Sequence, residues 1–156
     1  ARVTLGEGNT PVVRSRRVGP AAGLSRLYFK LESCNPTGSY KDRFAAVAVS
    51  DMAARGATRC VATSSGNAGA ALARVRGFGV DPAVTARAFA AAAARGGRPG
   101  AALQITAYRH SPAGMTGVQT IAYELAAQLP GGIDHVFCPA GGGGLAVAVA
   151  RGFDRL

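Results

Sequence analysis

Leu27, Phe29 and Leu31 alternate with Tyr28, Lys30 and Glu32, the period of a strand with one buried face. A turn composition follows at Asn35-Pro36-Thr37-Gly38-Ser39. After it, Lys41 to Arg55 carries Phe44, Val47, Ala48 and Met52 at helical spacing, and Gly56 stands where a helix end takes a left-handed residue. Cys60-Val61-Ala62 reads as a short buried strand. It runs into the polar glycine loop Ser64-Ser65-Gly66-Asn67-Ala68-Gly69 and then into a helical segment from Ala70 to Arg76. Pro82 to Arg95 has the composition of an Ala-rich helix ended by Gly96-Gly97, and Leu103, Ile105 and Ala107 alternate as a strand does. Val118, Ile121, Ala122, Leu125 and Leu129 repeat as the apolar stripe of an amphipathic helix, which Pro130-Gly131-Gly132 stops. A strand at His135 to Cys138, four consecutive glycines at Gly141 to Gly144 and a helical segment from Leu145 complete the pattern. Strands alternating with helices predict an α/β chain on a mainly parallel sheet.

Composition sharpens this picture. The chain has 156 residues, about the length of one domain, and 48% of them are hydrophobic, which excludes disorder driven by low hydrophobicity. Large side chains are scarce, with no Trp, 4 Tyr, 6 Phe and 2 Met against 22 Gly, so the core depends on close backbone packing. A formal charge of +10 permits anionic partners. The arginines are scattered, however, and no aromatic residues interleave with a basic stripe, which argues against a nucleic-acid surface. Cys34, Cys60 and Cys138 are an odd number at wide spacing, so neither a disulfide framework nor a metal site is indicated. A reducing cytoplasm is the expected setting. No membrane partner is expected either, because the apolar run Ala88 to Ala94 falls short of a span.

Three positions carry chemistry. Pro139-Ala140-Gly141-Gly142-Gly143-Gly144 lies between a predicted strand and a predicted helix, where free amides and the positive helix end make a phosphate cradle. The run lacks the Gly-Lys-Ser/Thr ending of a nucleotide loop, so alone it names no ligand. Lys41 opens a helix, a place where the macrodipole disfavours a cation; an amine condensed with an aldehyde escapes that penalty, and a solvated lysine offset by Asp42 is the plainer alternative. Ser64, Ser65 and Asn67 follow a strand's carboxyl end, where open α/β sheets bind ligands, although the same residues suit an ordinary helix cap.

Together these residues resemble a family. Asn35-Pro36-Thr37-Gly38-Ser39-Tyr40-Lys41-Asp42-Arg43 is similar to the lysine motif of pyridoxal-phosphate enzymes of the tryptophan-synthase-β-like fold (fold type II), in particular the threonine synthases. Ser64-Ser65-Gly66-Asn67 resembles their asparagine loop and Gly141 to Gly144 their phosphate loop. Gly6-Glu7-Gly8-Asn9-Thr10-Pro11 and Thr120-Ile121-Ala122-Tyr123-Glu124 resemble two further threonine-synthase segments. The resemblance implies a three-layer parallel sheet in two domains, with 1–45 and 110–156 holding the cofactor and 46–109 a reduced small domain. It implies that Lys41 binds pyridoxal phosphate covalently and shuttles the substrate α-proton. Asn67 would bond the ring oxygen, Gly141, Gly142, Gly143 and Gly144 the phosphate, and Ser64 and Ser65 the substrate carboxylate. Arg43, beside Lys41, would favour its neutral form. The reaction implied is a lyase step of amino-acid metabolism, O-phosphohomoserine to threonine plus phosphate, in a homodimer. A serine or threonine dehydratase and a module that binds the cofactor without catalysis are the alternatives. Family residues are missing near Gly79 to Asp81, and the chain resembles a shortened N-terminal half.

Overall fold

The computed structural model describes residues 2–64, 66–74, 81–85, 94 and 96–156, with only the backbone of 63 and 81–85. Two short strands, β1 (Val12–Arg14) and β2 (Tyr28–Lys30), pair antiparallel with Val13 opposite Phe29. Between them lies the single turn α1 (Val18–Ala21), and after them a 3-10 turn at Glu32–Cys34. The long helix α2 (Lys41–Ala54) leads into β3 (Arg59–Thr63), α3 (Asn67–Arg74), β4 (Asp81–Thr85) and β5 (Ala101–Leu103). Helices α4 (Pro112–Gln128) and α5 (Gly144–Phe153) follow.

Strands β4, β3 and β5 form a parallel sheet in that order, so β3 is central. Its Cys60, Val61 and Ala62 are all buried, as a strand covered on both faces requires. The core continues through Phe44, Ala48, Val49 and Met52 of α2, Met115, Val118 and Ile121 of α4, and Ala148 and Val149 of α5. With so few large side chains, the helices approach through glycine. A Cβ on Gly114 would strike the Phe44 ring at 2.6 Å, and one on Gly117 would run into the α2 backbone at Arg43. A methyl at Gly152 would meet the α4 residue Ala122 at 2.6 Å. The two helix crossings therefore require those glycines, the close backbone packing that the composition implied.

Four expectations need correction. Pro82 to Arg95 is not helical throughout: Asp81–Thr85 is a strand, with Pro82 opposite Cys60. Among the described strands β4 stands at the sheet edge, where proline is tolerated, and its residues pair with β3 ahead of the Ala-rich stretch. Residues 86–93 and 95 lie outside the described ones. His135 to Cys138 forms no strand; among the described residues no neighbouring strand pairs with it, and Phe137 is 79% exposed. The strand expected through Ala107 ends at Leu103, because the amide of Ile105 bonds the Ser111 hydroxyl instead of a neighbouring strand. Finally, β2 turns its faces the other way: Phe29 is exposed, and the Lys30 side chain is buried in ion pairing.

Other elements agree with the pattern. Helix α2 spans Lys41–Ala54 and Gly56 follows it at φ +73. Helix α4 carries the expected stripe but starts earlier, with Pro112 in its first turn, where a missing N–H costs nothing.

Candidate functional site

Lys41, Asn67 and Gly144 are each the first residue of a helix, of α2, α3 and α5 respectively. Each therefore stands at the positive end of a helix dipole. The preceding loops are built differently. Before α2, Asp42 folds the turn back on itself: its carboxylate accepts from the Thr37 amide at 2.7 Å and the Thr37 hydroxyl at 2.6 Å. Asp42 is fully buried there, so it serves the turn and forms no salt bridge to Lys41. The Lys41 amide donates to the Ser39 hydroxyl at 3.3 Å, and its Nζ lies 4.5 Å from the centre of the Tyr40 ring.

Before α3, the Ser64 hydroxyl accepts from the amides of Gly66 and Gly69, at 3.2 and 2.9 Å, and thereby caps the helix start. That is the plainer of its two sequence readings, with the exposed Asn67 beside it. Ser65 lies outside the described residues. Before α5, Gly143 takes the left-handed conformation at φ +75, and no side chain caps the helix. Among the described residues, a Cβ on Gly141, Gly142 or Gly143 would meet no atom within 4 Å. The loop therefore leaves room beside the start of α5, and the helix dipole there favours an anion.

Packing relates these starts to one another. The first turn of α4 carries both the Phe44 ring, against Gly114, and Met115, whose Cε would lie 3.3 Å from a Cβ on Gly144. The turn before Lys41 is tied to α3 by Arg74, which donates to the Pro36 carbonyl at 3.3 Å. Gly144 also abuts the Thr106 carbonyl, in the segment that leaves β5.

The chain's two lysines have opposite surroundings. Lys30 Nζ donates to Glu124 at 2.6 Å, to the Thr10 carbonyl at 2.8 Å and to Gln128 at 2.8 Å, and its side chain is 9% exposed. Lys41 has no carboxylate within ion-pair distance among the described residues. Arg43, two residues on, faces two carboxylates. Its guanidinium is spent on Glu32 and Glu124, which compensate its charge.

This charge network is what sequence reasoning missed. Arg43, with a side chain 1% exposed, bonds Glu32 through Nε and Nη2 at 2.8 Å each and Glu124 through Nη1 and Nη2 at 2.6 and 2.9 Å. Burial alone would lower its pKa, but the hydrogen bonds and charges of the two carboxylates outweigh that and raise it. Burial would raise the Glu124 carboxyl, yet bonds from Arg43, Lys30 and the Asn9 amide hold it down at about 2. The same carboxylate accepts from the Asn9 amide at 2.7 Å and the Thr10 amide at 3.3 Å. Asn9, Thr10 and Glu124, far apart in sequence, are thus bonded together.

A cavity of about 710 Å³ lies between β2 and residues 125–137, and its lining includes none of Lys41, Asn67 or Gly141 to Gly144. Among the described residues no helix is long and apolar enough to cross a membrane, and no cluster of His, Cys, Asp and Glu could hold a metal ion.

The family model "Pyridoxal-phosphate dependent enzyme" matches residues 3–76 and again 73–156, so the match breaks near the place where the sequence looked shortened. Threonine synthases of Methanosarcina acetivorans and Mycobacterium leprae are each 42% identical over 71 residues, 46% of this chain and 18% and 19% of theirs. Among solved structures, the processed form of threonine deaminase isoform 2 from Solanum lycopersicum superposes with a TM-score of 0.73 at 23% identity. That match covers 94% of this chain and 47% of the other. Cysteine synthase from Entamoeba histolytica superposes with a TM-score of 0.69 at 21% identity, over 95% of this chain and 55% of the other. The chain thus spans about half the length of these solved relatives. It belongs to the pyridoxal-phosphate dependent enzyme family, with part of the tryptophan-synthase-β-like fold.

Proposed function

We propose that this member of the pyridoxal-phosphate dependent family supplies the lysine-bearing part of a threonine-synthase-like lyase, acting on O-phosphohomoserine. The observation that carries the reading is the contrast between the lysines: Lys30 is buried in ionic bonds, and Lys41 stands half-exposed at a helix start without a carboxylate partner among the described residues. An amine destined for an aldehyde must be reachable and able to lose its proton. The choice of threonine synthase draws support from the 71-residue similarity to those enzymes.

When bound, pyridoxal phosphate supplies an electron sink for negative charge at the substrate α-carbon. The protein's share is binding, orientation and proton movement. Amides of Gly141 to Gly144 and the start of α5 hold the phosphate, favoured by the helix dipole. The Asn67 amide group donates to the ring oxygen. Ser65 and the amides opening α3 orient the substrate carboxylate, with the Ser64 hydroxyl holding that helix start in shape, and the Lys41 amine moves the proton at the α-carbon. In this reading 1–45 and 110–156 form the cofactor-holding part and 46–109 a small domain, with α2 crossing the boundary unbroken. The intact protein is a cytoplasmic homodimer with a small amino-acid substrate and neither nucleic-acid nor membrane partners.

The test uses pyridoxal phosphate followed by borohydride, which reduces the C=N bond formed between amine and aldehyde with loss of water to a stable secondary amine. The label is expected on the peptide containing Lys41 and absent from Lys41→Ala. Equal labelling of Lys30 and Lys41 would overturn the assignment. Similarity to threonine deaminase keeps a dehydratase as the second reading: phosphate release from O-phosphohomoserine favours the first, ammonia release from threonine the second.

A further inference from the structure

We propose that Arg43 is a positioning residue for Lys41, setting the rotation of α2 and with it the direction of the reactive amine. The proposal rests on the function assigned above to Lys41. Two residues apart on a helix, the side chains point about 200° from each other, so fixing one fixes the aim of the other. Arg43 is fixed from three directions. Besides Glu32 and Glu124 it bonds the Thr120 hydroxyl of α4 at 2.9 Å and the Thr10 hydroxyl at 3.2 Å. Glycine at 117 then lets the α4 backbone rest on the Arg43 carbonyl, so α2 can neither roll nor slide without losing one set of contacts.

Lys41's own restraints are slight by comparison. They are a 3.3 Å bond from its amide to Ser39 and the ring of its neighbour Tyr40, both in the turn just before the helix. The network also holds backbone that would otherwise relax. Asn9 sits at φ +48, a left-handed conformation unusual for a residue other than glycine, with its amide locked by Glu124. Strain of this kind persists where surrounding bonds over-determine the geometry. The arrangement therefore spends a planar, five-donor side chain on rigidity, a task lysine's single ammonium performs poorly.

The decisive comparison is Arg43→Lys, which keeps the charge and loses the fork. Rate of borohydride-fixed labelling by pyridoxal phosphate is read peptide by peptide, alongside the visible circular dichroism of the bound chromophore and a thermal melt. Wild type should label Lys41, leave Lys30 unlabelled and show an induced visible signal, which requires a fixed orientation. Arg43→Lys should label Lys41 about tenfold more slowly, as a misplacement below an ångström produces, and lose the induced signal. A cooperative melt and an unlabelled Lys30 would show that the fold remains. If Arg43→Lys fails to melt cooperatively, Thr120→Val decides: it removes one acceptor with little change of shape and should weaken the induced signal while the melt is retained. Variants matching wild type in rate and signal overturn the positioning role alone. A wild-type chain unlabelled at Lys41 overturns the functional reading and this role with it.

Discussion

Replacing Glu124 by Gln tests the charge network at its most connected point. The substitution keeps the size of the side chain and removes the charge that Arg43 and Lys30 share, together with one acceptor for the amides of Asn9 and Thr10. Breaking a buried pair from one side costs about 3–5 kcal/mol because a charge is left uncompensated. Glu124 is 21% exposed and Glu32 still serves Arg43, so the lower end applies, about 3 kcal/mol, equivalent to a fall of about 6–12 °C in Tm for a chain of this size. The pH dependence supplies an internal control. The carboxyl is lowered to about 2 from the usual 4.5, so its contribution is complete above 4.5 and is lost as pH falls from there toward 2. Screening of this part-exposed group leaves about 2 kcal/mol in that window. Melts followed by far-UV circular dichroism should therefore separate variant from wild type at pH 7 and converge toward pH 2.5. Coincident melts at pH 7, or a gap that stays constant into acid, would refute the reasoning.

Glycine substitutions divide by what they touch. Gly117→Ala should destabilise by about 3 kcal/mol in a chemical-denaturation experiment, because its methyl group meets α2 backbone and cannot be accommodated by a rotamer change. Gly142→Ala meets no atom of the described residues within 4 Å; it should leave the melt unchanged and weaken pyridoxal phosphate binding, read by fluorescence titration. The free cysteines should react in an order set by burial: Cys34 is exposed, whereas burial pushes the Cys60 thiol up to about 12. Timed alkylation should modify Cys34 in the native chain and Cys60 only with denaturant; early modification of Cys60 would contradict the buried central strand.

The helix starts that carry the candidate residues were legible in the sequence, for a local reason. Helix starts, the glycine run and the turn before Lys41 depend on a few neighbouring residues, and backbone sterics make Gly143 at φ +75 readable as glycine's work. The α/β alternation follows from residue periodicity and appears as β3, flanked by β4 and β5, with α2 and α3 on either side of it in sequence. Non-local partners decided the rest. Lys30 and Lys41 look alike as sequence; Glu124, 94 residues beyond Lys30, makes one a buried structural cation. Arg43 next to Lys41 reads as an electrostatic neighbour, until Thr10, Glu32 and Glu124 draw its guanidinium into their own network. A run such as Asp81–Thr85 becomes a strand because β3 offers it an edge, and His135 to Cys138 does not because none of the described strands pairs with it. Local sequence sets what each segment can do cheaply, and the free energy of pairing backbone groups and charges across the fold selects among those options.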